Sequence, residues 1–273
     1  MVRLAVSSMF FHEYTLEEIF DFVDQAGLDT MEFWIETPHF WLREQPIPDL
    51  LACLSGRPAM APLNVHAPIL DLNPCSINPK VAAVSVEYIL ASVTLADRIG
   101  AAVVTVHPGR RTAKRPPSAP DFRRFDHYLS LLSDAARKTR VSVAIENMEN
   151  KVNSLLCTPE AVREILDREP WLSFTLDISH AMGVSMEEVA AYINLCGDRL
   201  VNVHLGRSNG GTMHLPVDTN PGIAAILSWL SDAGYKGVIT FEIEDLTFDH
   251  DLSSEEKILF LAKQAAFVHE SLG

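Results

Sequence analysis

Eight short runs rich in β-branched and apolar residues recur along the 273-residue chain, each separated from the next by a longer stretch with helical spacing. The runs are 2–7, 30–35, 62–66, 102–107, 141–146, 172–177, 199–204 and 238–243. A sequence such as Ala102-Val103-Val104-Thr105-Val106 is nearly continuous in apolar character, which suits a parallel strand covered on both faces. The clearest amphipathic segments between them are 81–99, 125–138, 159–168, 186–195 and 222–233. Several open with residues that satisfy free backbone N–H groups: Thr15 stands three before Glu18, Pro159 follows Thr158, and Ser185 precedes Glu187 and Glu188. Gly27, Gly100, Gly197 and Gly234 stand where helices end.

Eight such units predict an α/β protein folded as a single (β/α)8 TIM barrel over 1–273, with its active site at the C-terminal ends of the strands. No GxGxxG follows the first run, which removes the usual nucleotide-binding reason for an open, doubly wound sheet. The chain has no linker-like stretch that would divide it.

Composition narrows the partners. Lys plus Arg number 22 against 36 Asp plus Glu, a formal charge of −14. Nucleic acid and anionic membranes are therefore disfavoured, because both draw affinity from cationic side chains. Cys53, Cys75, Cys157 and Cys196 are scattered, without a CxxC pair or a dense disulfide framework, and are expected to be reduced thiols. The first apolar run is too short for a secretion signal, and no stretch is expected to span a bilayer. A cytoplasmic location is the expectation, and nothing opposes assembly into a homo-oligomer.

The ends of six consecutive runs carry ligand-type residues: His66, His107, Glu146, Asp177, His204 and Glu242, with His180 and His214 just beyond. In a barrel they meet on one rim. Several carboxylates in a narrow, partly dry funnel repel one another unless a cation neutralises them, and imidazole with carboxylate suits Zn²⁺ or Mn²⁺ better than Ca²⁺ or Mg²⁺.

The segments Val65-His66-Ala67-Pro68, Val106-His107-Pro108-Gly109, Ile145-Glu146-Asn147, Leu176-Asp177-Ile178-Ser179-His180, Val203-His204-Leu205 and Phe241-Glu242 resemble the xylose isomerase-like barrel superfamily. That superfamily joins sugar isomerases and epimerases to apurinic endonucleases of the endonuclease IV type. The resemblance implies a metal quartet of Glu146, Asp177, His204 and Glu242. Its nuclease branch adds a second site from His66, His107 and a bridging Glu146, and a third from His180, an Asp and the His at His214. Here Thr212 occupies the place of that Asp, and Leu205-Gly206-Arg207 follows His204 in place of the branch's Asn-Asp pair. One or two ions are the expected content.

Two activities follow. The first is a divalent-metal-dependent sugar or sugar-phosphate isomerase or epimerase, working by proton transfer through a metal-stabilised enediolate. Glu146 and Glu242 are its catalytic residues, and His180 anchors a hydroxyl. The alternative is an endonuclease IV-like phosphodiesterase acting on abasic DNA, which explains His66 and His107 as ligands of an extra ion. A barrel that binds without turnover is the third reading. The loop after the fourth run holds Arg110, Arg111, Lys114 and Arg115, and Arg110 and Arg111 are expected to grip a substrate phosphate. Trp34, with Phe33 and Trp41, is expected to wall the pocket, Glu32 either lines it or makes a structural hydrogen bond, and Arg207 is expected at the surface.

Overall fold

The computed structural model describes residues 2–272. Eight parallel strands close into a barrel: β1 (Arg3–Ser7), β2 (Thr30–Trp34), β3 (Asn64–His66), β4 (Val103–Val106), β5 (Ser142–Glu146), β6 (Ser173–Asp177), β7 (Leu200–Leu205) and β10 (Val238–Phe241), the last pairing with both β7 and β1. Two further strands, β8 (Arg207–Asn209) and β9 (Thr212–Leu215), form an antiparallel hairpin on the rim beyond β7. The architecture is the expected (β/α)8 barrel.

Ten helices cover it: α1 (Leu16–Gln25), α2 (Pro38–Trp41), α3 (Ile47–Ser55), α4 (Pro79–Arg98), α5 (Ala119–Ala136), α6 (Pro159–Arg168), α7 (Ile178–Met182), α8 (Met186–Cys196), α9 (Pro221–Asp232) and α10 (Ser254–Leu272). Thr15 and Glu18 form the reciprocal cap expected at α1, and Thr158 and Ser185 cap α6 and α8. Helix α5 begins earlier than its apolar spacing indicates, because Ser118 and Asp121 make a second reciprocal cap, with Pro120 in the first turn. Gly100 ends α4 at a φ of 67°, where a side chain is strained, whereas Gly197 follows α8 in ordinary helical conformation.

The strands alternate more than their composition suggests. Val65, Val104, Ile145, Leu176, Val203 and Phe241 belong to the apolar core beneath the helices. Their neighbours point into the lumen, and there the upper layers are polar. Asn64 Nδ2 donates to Asn202 Oδ1 across the barrel at 3.1 Å, and the Thr105 and Thr175 hydroxyls meet at 3.0 Å. Side chains two residues apart lie on one face of a strand, so each of these residues stands directly below a rim residue: Asn64 below His66, Thr105 below His107, Thr175 below Asp177, Asn202 below His204 and Thr240 below Glu242. Burial of the outer faces supplies the cohesion, which leaves the lumen free to hold polar chemistry.

Helix α4 bears on the bilayer expectation without overturning it. By length and composition this helix qualifies as a membrane span. Its Ile89, Val93, Leu95 and Ala96, however, are buried in the core.

Lys257 of α10 is fully buried. It donates to Phe10 O at 2.7 Å, Glu13 Oε1 at 2.6 Å and Asp245 Oδ2 at 2.9 Å, using all three of its hydrogens. The last helix is thereby tied to the loops that follow β1 and β10. Lys257→Ala should lower unfolding stability by about 3 kcal/mol, the low end for breaking a buried pair because Glu13 and Asp245 retain contact with water. Urea unfolding measures it, and an unchanged midpoint would show that the tie carries no stability.

Candidate metal centre

Parallel strands bring every C-terminal end to one rim, and the alternation fixes which side chains turn inward. His66, Glu146 and Asp177 are the last residues of β3, β5 and β6. His204 is the penultimate residue of β7, and His107 and Glu242 stand one step past β4 and β10. All six expected rim residues therefore converge.

Glu146, Asp177, His204 and Glu242 each present one ligand atom, and these atoms lie within 4.8 Å of one another. Each residue has a second polar atom engaged elsewhere or facing a different neighbour. Asp177 Oδ1 accepts the His180 backbone N–H at 2.7 Å, which caps α7 and leaves Oδ2 turned inward. His204 Nε2 lies 3.0 Å from Glu32 Oε1. Burial opposes ionisation of Glu32, but His204 outweighs it and holds the carboxyl below its ordinary range. Both ring nitrogens of His204 thus face carboxylates, Nε2 that of Glu32 and Nδ1 that of Glu242; burial opposes charge on the ring, but together these hold its proton affinity well above the ordinary value. A cation at Nδ1 would displace the hydrogen there and leave the one on Nε2, since Glu32 has no hydrogen to give.

The consequence is a set of buried atoms without hydrogen-bond partners: Asp177 Oδ2, His204 Nδ1 and Glu242 Oε2, with His214 Nδ1 beside them. His204 Nδ1 and Glu242 Oε2 face each other at 2.8 Å, and Glu146 Oε1 lies 3.6 Å from the same nitrogen. Buried polar atoms are normally satisfied. An imidazole lone pair aimed at three carboxylates is the donor set of a divalent transition ion, so the residues present fit such an ion.

Crowding also moves the proton affinities. Burial pushes Asp177 up to about 6, with His180 and His214 opposing. For Glu242 burial acts in the same direction, but His204 overcomes it and holds the carboxyl well below its ordinary range. Burial opposes charge on His66, yet Glu146 carries it up to about 9. On His107 burial prevails and the shift is downward.

Among the described residues, three more groups of ligand-type residues adjoin the quartet, one of them Glu32, His66 and His204 beneath it. His66 Nε2 and His107 Nε2 stand 3.4 and 3.0 Å from Glu146 Oε2, on the side of that carboxylate away from His204. His180 and His214 pack edge to face with ring centroids 5.5 Å apart, and with Asp177 they form a third cluster. Thr212 is exposed in the β8–β9 hairpin and adds nothing to it. His214 holds a left-handed φ of 53°, a strain of about 1 kcal/mol or more for a non-glycine residue. It is pinned from both sides, since its N–H donates to Ser179 Oγ at 2.8 Å and its carbonyl accepts from the Glu244 N–H at 3.0 Å.

A cavity of about 420 Å³ opens above these groups, and His107, Arg110, His180, His214 and Glu242 line it. The loop bearing Arg110 is fastened: Asn73 Oδ1 accepts its N–H and Asn73 Nδ2 donates to its carbonyl. Arg111 is not on this wall. Its guanidinium donates to Pro116 O and Ser118 Oγ and lies 3.6 Å from Asp121, so the start of α5 takes it away from the rim. Trp34 is likewise not among the lining residues; it is buried, and its backbone N–H donates to Ser8 Oγ.

One contributor escaped the sequence reading of the site. Asn147 is buried and clamps β5 to β6, donating to Asp177 O and accepting from Asp177 N–H at 3.0 and 2.8 Å. Its signal was its place next to Glu146. Of the two places expected for Glu32, pocket wall or structural hydrogen bond, the structure shows the second: it is a hydrogen-bond acceptor beneath the centre.

With this geometry in place, the sequence profile described as a xylose isomerase-like TIM barrel matches residues 20–264. The chain belongs to that family. It is 30% identical to the uncharacterised protein MJ1188 of Methanocaldococcus jannaschii over 98% of both chains. It is 27% identical to a protein named probable endonuclease 4 of Mycobacterium bovis, over 68% of this chain and 71% of that one. Among solved structures, a D-tagatose 3-epimerase-like protein superposes with a TM-score of 0.77 at 26% identity, covering both chains completely. Proteins named for each of the two expected activities are thus among those this chain resembles.

Proposed function

We propose that this xylose isomerase-like protein is a divalent-metal-dependent sugar isomerase or epimerase. The observation that carries the reading is the convergence of two glutamates, Glu146 and Glu242, on one group of unpartnered buried ligand atoms. A divalent cation held by Glu146, Asp177, His204 and Glu242 would supply Lewis-acid polarisation of a substrate carbonyl and its neighbouring hydroxyl. One glutamate removes the proton from the carbon beside the carbonyl, leaving an enediolate, and the other returns a proton. His180, whose Nδ1 is held at 2.9 Å from Asn147 O, directs its remaining nitrogen to a substrate hydroxyl, with His214 beside it. The likeness to a D-tagatose 3-epimerase-like protein supports the same class of substrate.

A second reading has one observation in its favour. The group of His66, His107 and Glu146 is a ready site for a second ion, as phosphodiester hydrolysis on abasic DNA requires. Against it stand the charge of −14, the exposed Thr212, and a mouth where Asp71, Glu149 and Glu244 outnumber Arg110 and Lys151. That mouth also alters the phosphate expectation. Lys151 is paired with Glu149 and Arg111 is turned away, so the bidentate grip is lost and an unphosphorylated sugar suits the cavity better.

Purified protein should carry at least one divalent transition ion per chain, and Asp177→Asn or His204→Ala should lose it. Wild-type occupancy in the His204→Ala protein, by elemental analysis, would remove the quartet assignment. In D₂O the wild type should place deuterium on the carbon next to the carbonyl of a ketose, and Glu242→Gln should slow this by about 100-fold or more. No exchange across a panel of sugars, together with incision of abasic duplex DNA, puts hydrolysis first. Finally, kcat/KM for a sugar should equal or exceed that for its phosphate. A phosphate preference abolished by Arg110→Ala would restore Arg110 as a phosphate ligand.

A further inference from the structure

Beneath the rim lies one buried carboxylate that the proposed reaction does not use. Glu32 points into the lumen from β2 with 1% of its surface exposed. Its two oxygens receive three hydrogen bonds. Oε1 faces His204 Nε2 at 3.0 Å, while Oε2 accepts from Asn202 Nδ2 at 2.7 Å and from Thr240 Oγ1 at 2.9 Å. Asn202 and Thr240 stand two residues before His204 and Glu242 on the same strands, so one carboxylate is bonded to the strands that present two of the four quartet residues.

We propose that Glu32 is a positioning residue that fixes the tautomer and ring orientation of His204, so that Nδ1 offers its lone pair to a divalent cation. This rests on the metal quartet described above. Imidazole has one N–H when neutral, and the acceptor on its far side decides which nitrogen keeps it. With an ionised carboxylate at Nε2, that nitrogen holds the hydrogen, and Nδ1 becomes both free and more basic. Glu242 Oε2 competes for the hydrogen from the other side, 2.8 Å from Nδ1; without the Glu32 carboxylate that contact alone decides the tautomer, and the ligand position stays blocked by a hydrogen bond.

Glu32 is not itself a ligand for the same space. It lies across the imidazole ring from Nδ1, and its Oε1 is occupied by the Nε2–H. His66, the other imidazole grouped with it, has Nδ1 on Ala67 O at 2.8 Å and Nε2 toward Glu146.

Glu32→Gln is suited to the test because the surroundings can accept an amide. Asn64 Oδ1 has no hydrogen-bond partner, so reversing the amides of Asn202 and Asn64 gives the new side-chain NH₂ an acceptor, with the Thr240 hydroxyl changing from donor to acceptor. The variant should therefore fold, with the metal-free melting temperature close to wild type. The experiment titrates metal-free wild type and Glu32→Gln with Mn²⁺ and with Zn²⁺ by calorimetry. The variant keeps a carbonyl oxygen toward Nε2 but loses the charge, so it should bind about 10-fold more weakly, the low end for altering the acceptor behind a metal-ligating histidine. Thr240→Val, which removes another bond to the same carboxylate without touching His204, should change the dissociation constant much less.

Equal dissociation constants for Glu32→Gln and wild type would overturn the inference, because a purely structural bond moves the melting temperature and not the affinity. If the variant does not fold, ¹⁵N-histidine spectra of the Zn²⁺-loaded wild type decide instead: a hydrogen on His204 Nε2 supports the assignment and one on Nδ1 overturns it. Failure of the wild type to bind either ion would overturn the quartet, a result distinguishable from failure of Glu32 alone.

Discussion

Three carboxylates share a space that water hardly reaches, and their mutual repulsion is the constraint to which the upper half of the barrel answers. Desolvation favours the protonated form and neighbouring negative charge strengthens that tendency. The protein meets both by facing the carboxylates with imidazoles. Glu146 turns Oε2 to His66 and His107 and Oε1 toward His204 and His180, while Asp177 spends Oδ1 on the first turn of α7. Glu242 faces His204 and His214. What the imidazoles do not neutralise is left as the group of unpartnered atoms, and this residue of unmet charge defines where a cation fits.

The barrel is suited to this because of its directional strands. Parallel pairing puts all C-terminal ends on one rim, and alternation commits each strand to one inward residue per two positions. Where the usual lumen carries branched aliphatic layers, this one carries Glu32, Asn64, Thr105, Thr175, Asn202 and Thr240 under the ligands. Apolar packing outside the strands leaves that substitution affordable. The polar layer is also cross-linked from β3 to β7 and from β4 to β6, so each rim residue stands on a strand whose lateral position is fixed.

The strands and the six rim residues were legible because each signal is local: a β-branched run ending in His, Asp or Glu. The same locality explains what was not read. Glu32 finds His204 across 172 positions, a pairing that no window contains. Arg111 looked equivalent to Arg110, yet a neighbouring helix start supplies Ser118 and Asp121 and takes its guanidinium out of the cavity. The β8–β9 hairpin had a usable signal in Asn209-Gly210-Gly211-Thr212, where Gly210 and Gly211 take φ of 59° and 91°; the regular βα alternation drew attention away from it. Asn147 shows a further limit. An asparagine beside a candidate ligand reads as a helix cap or a turn, and only the approach of β6 makes it a clamp.

The proteins this chain resembles are named for acting on sugars and on DNA, so residues outside the quartet bear on the choice between the two proposed readings. A nuclease must approach a polyanion, and approach is governed by the field over tens of ångströms rather than by the ligands. Here that field is set by an excess of 14 negative charges. The rim does not reverse it locally, since Arg110 and Lys151 share the cavity with Asp71, Glu149 and Glu244. The same argument bears on the third histidine cluster. Without an aspartate at Thr212, His180 and His214 have only Asp177 as a carboxylate partner of their own group, and Asp177 already belongs to the quartet. His180 and His214, the second pinned in a strained backbone conformation, both open on the cavity, and on the proposed reading they meet substrate hydroxyl groups there rather than a further ion.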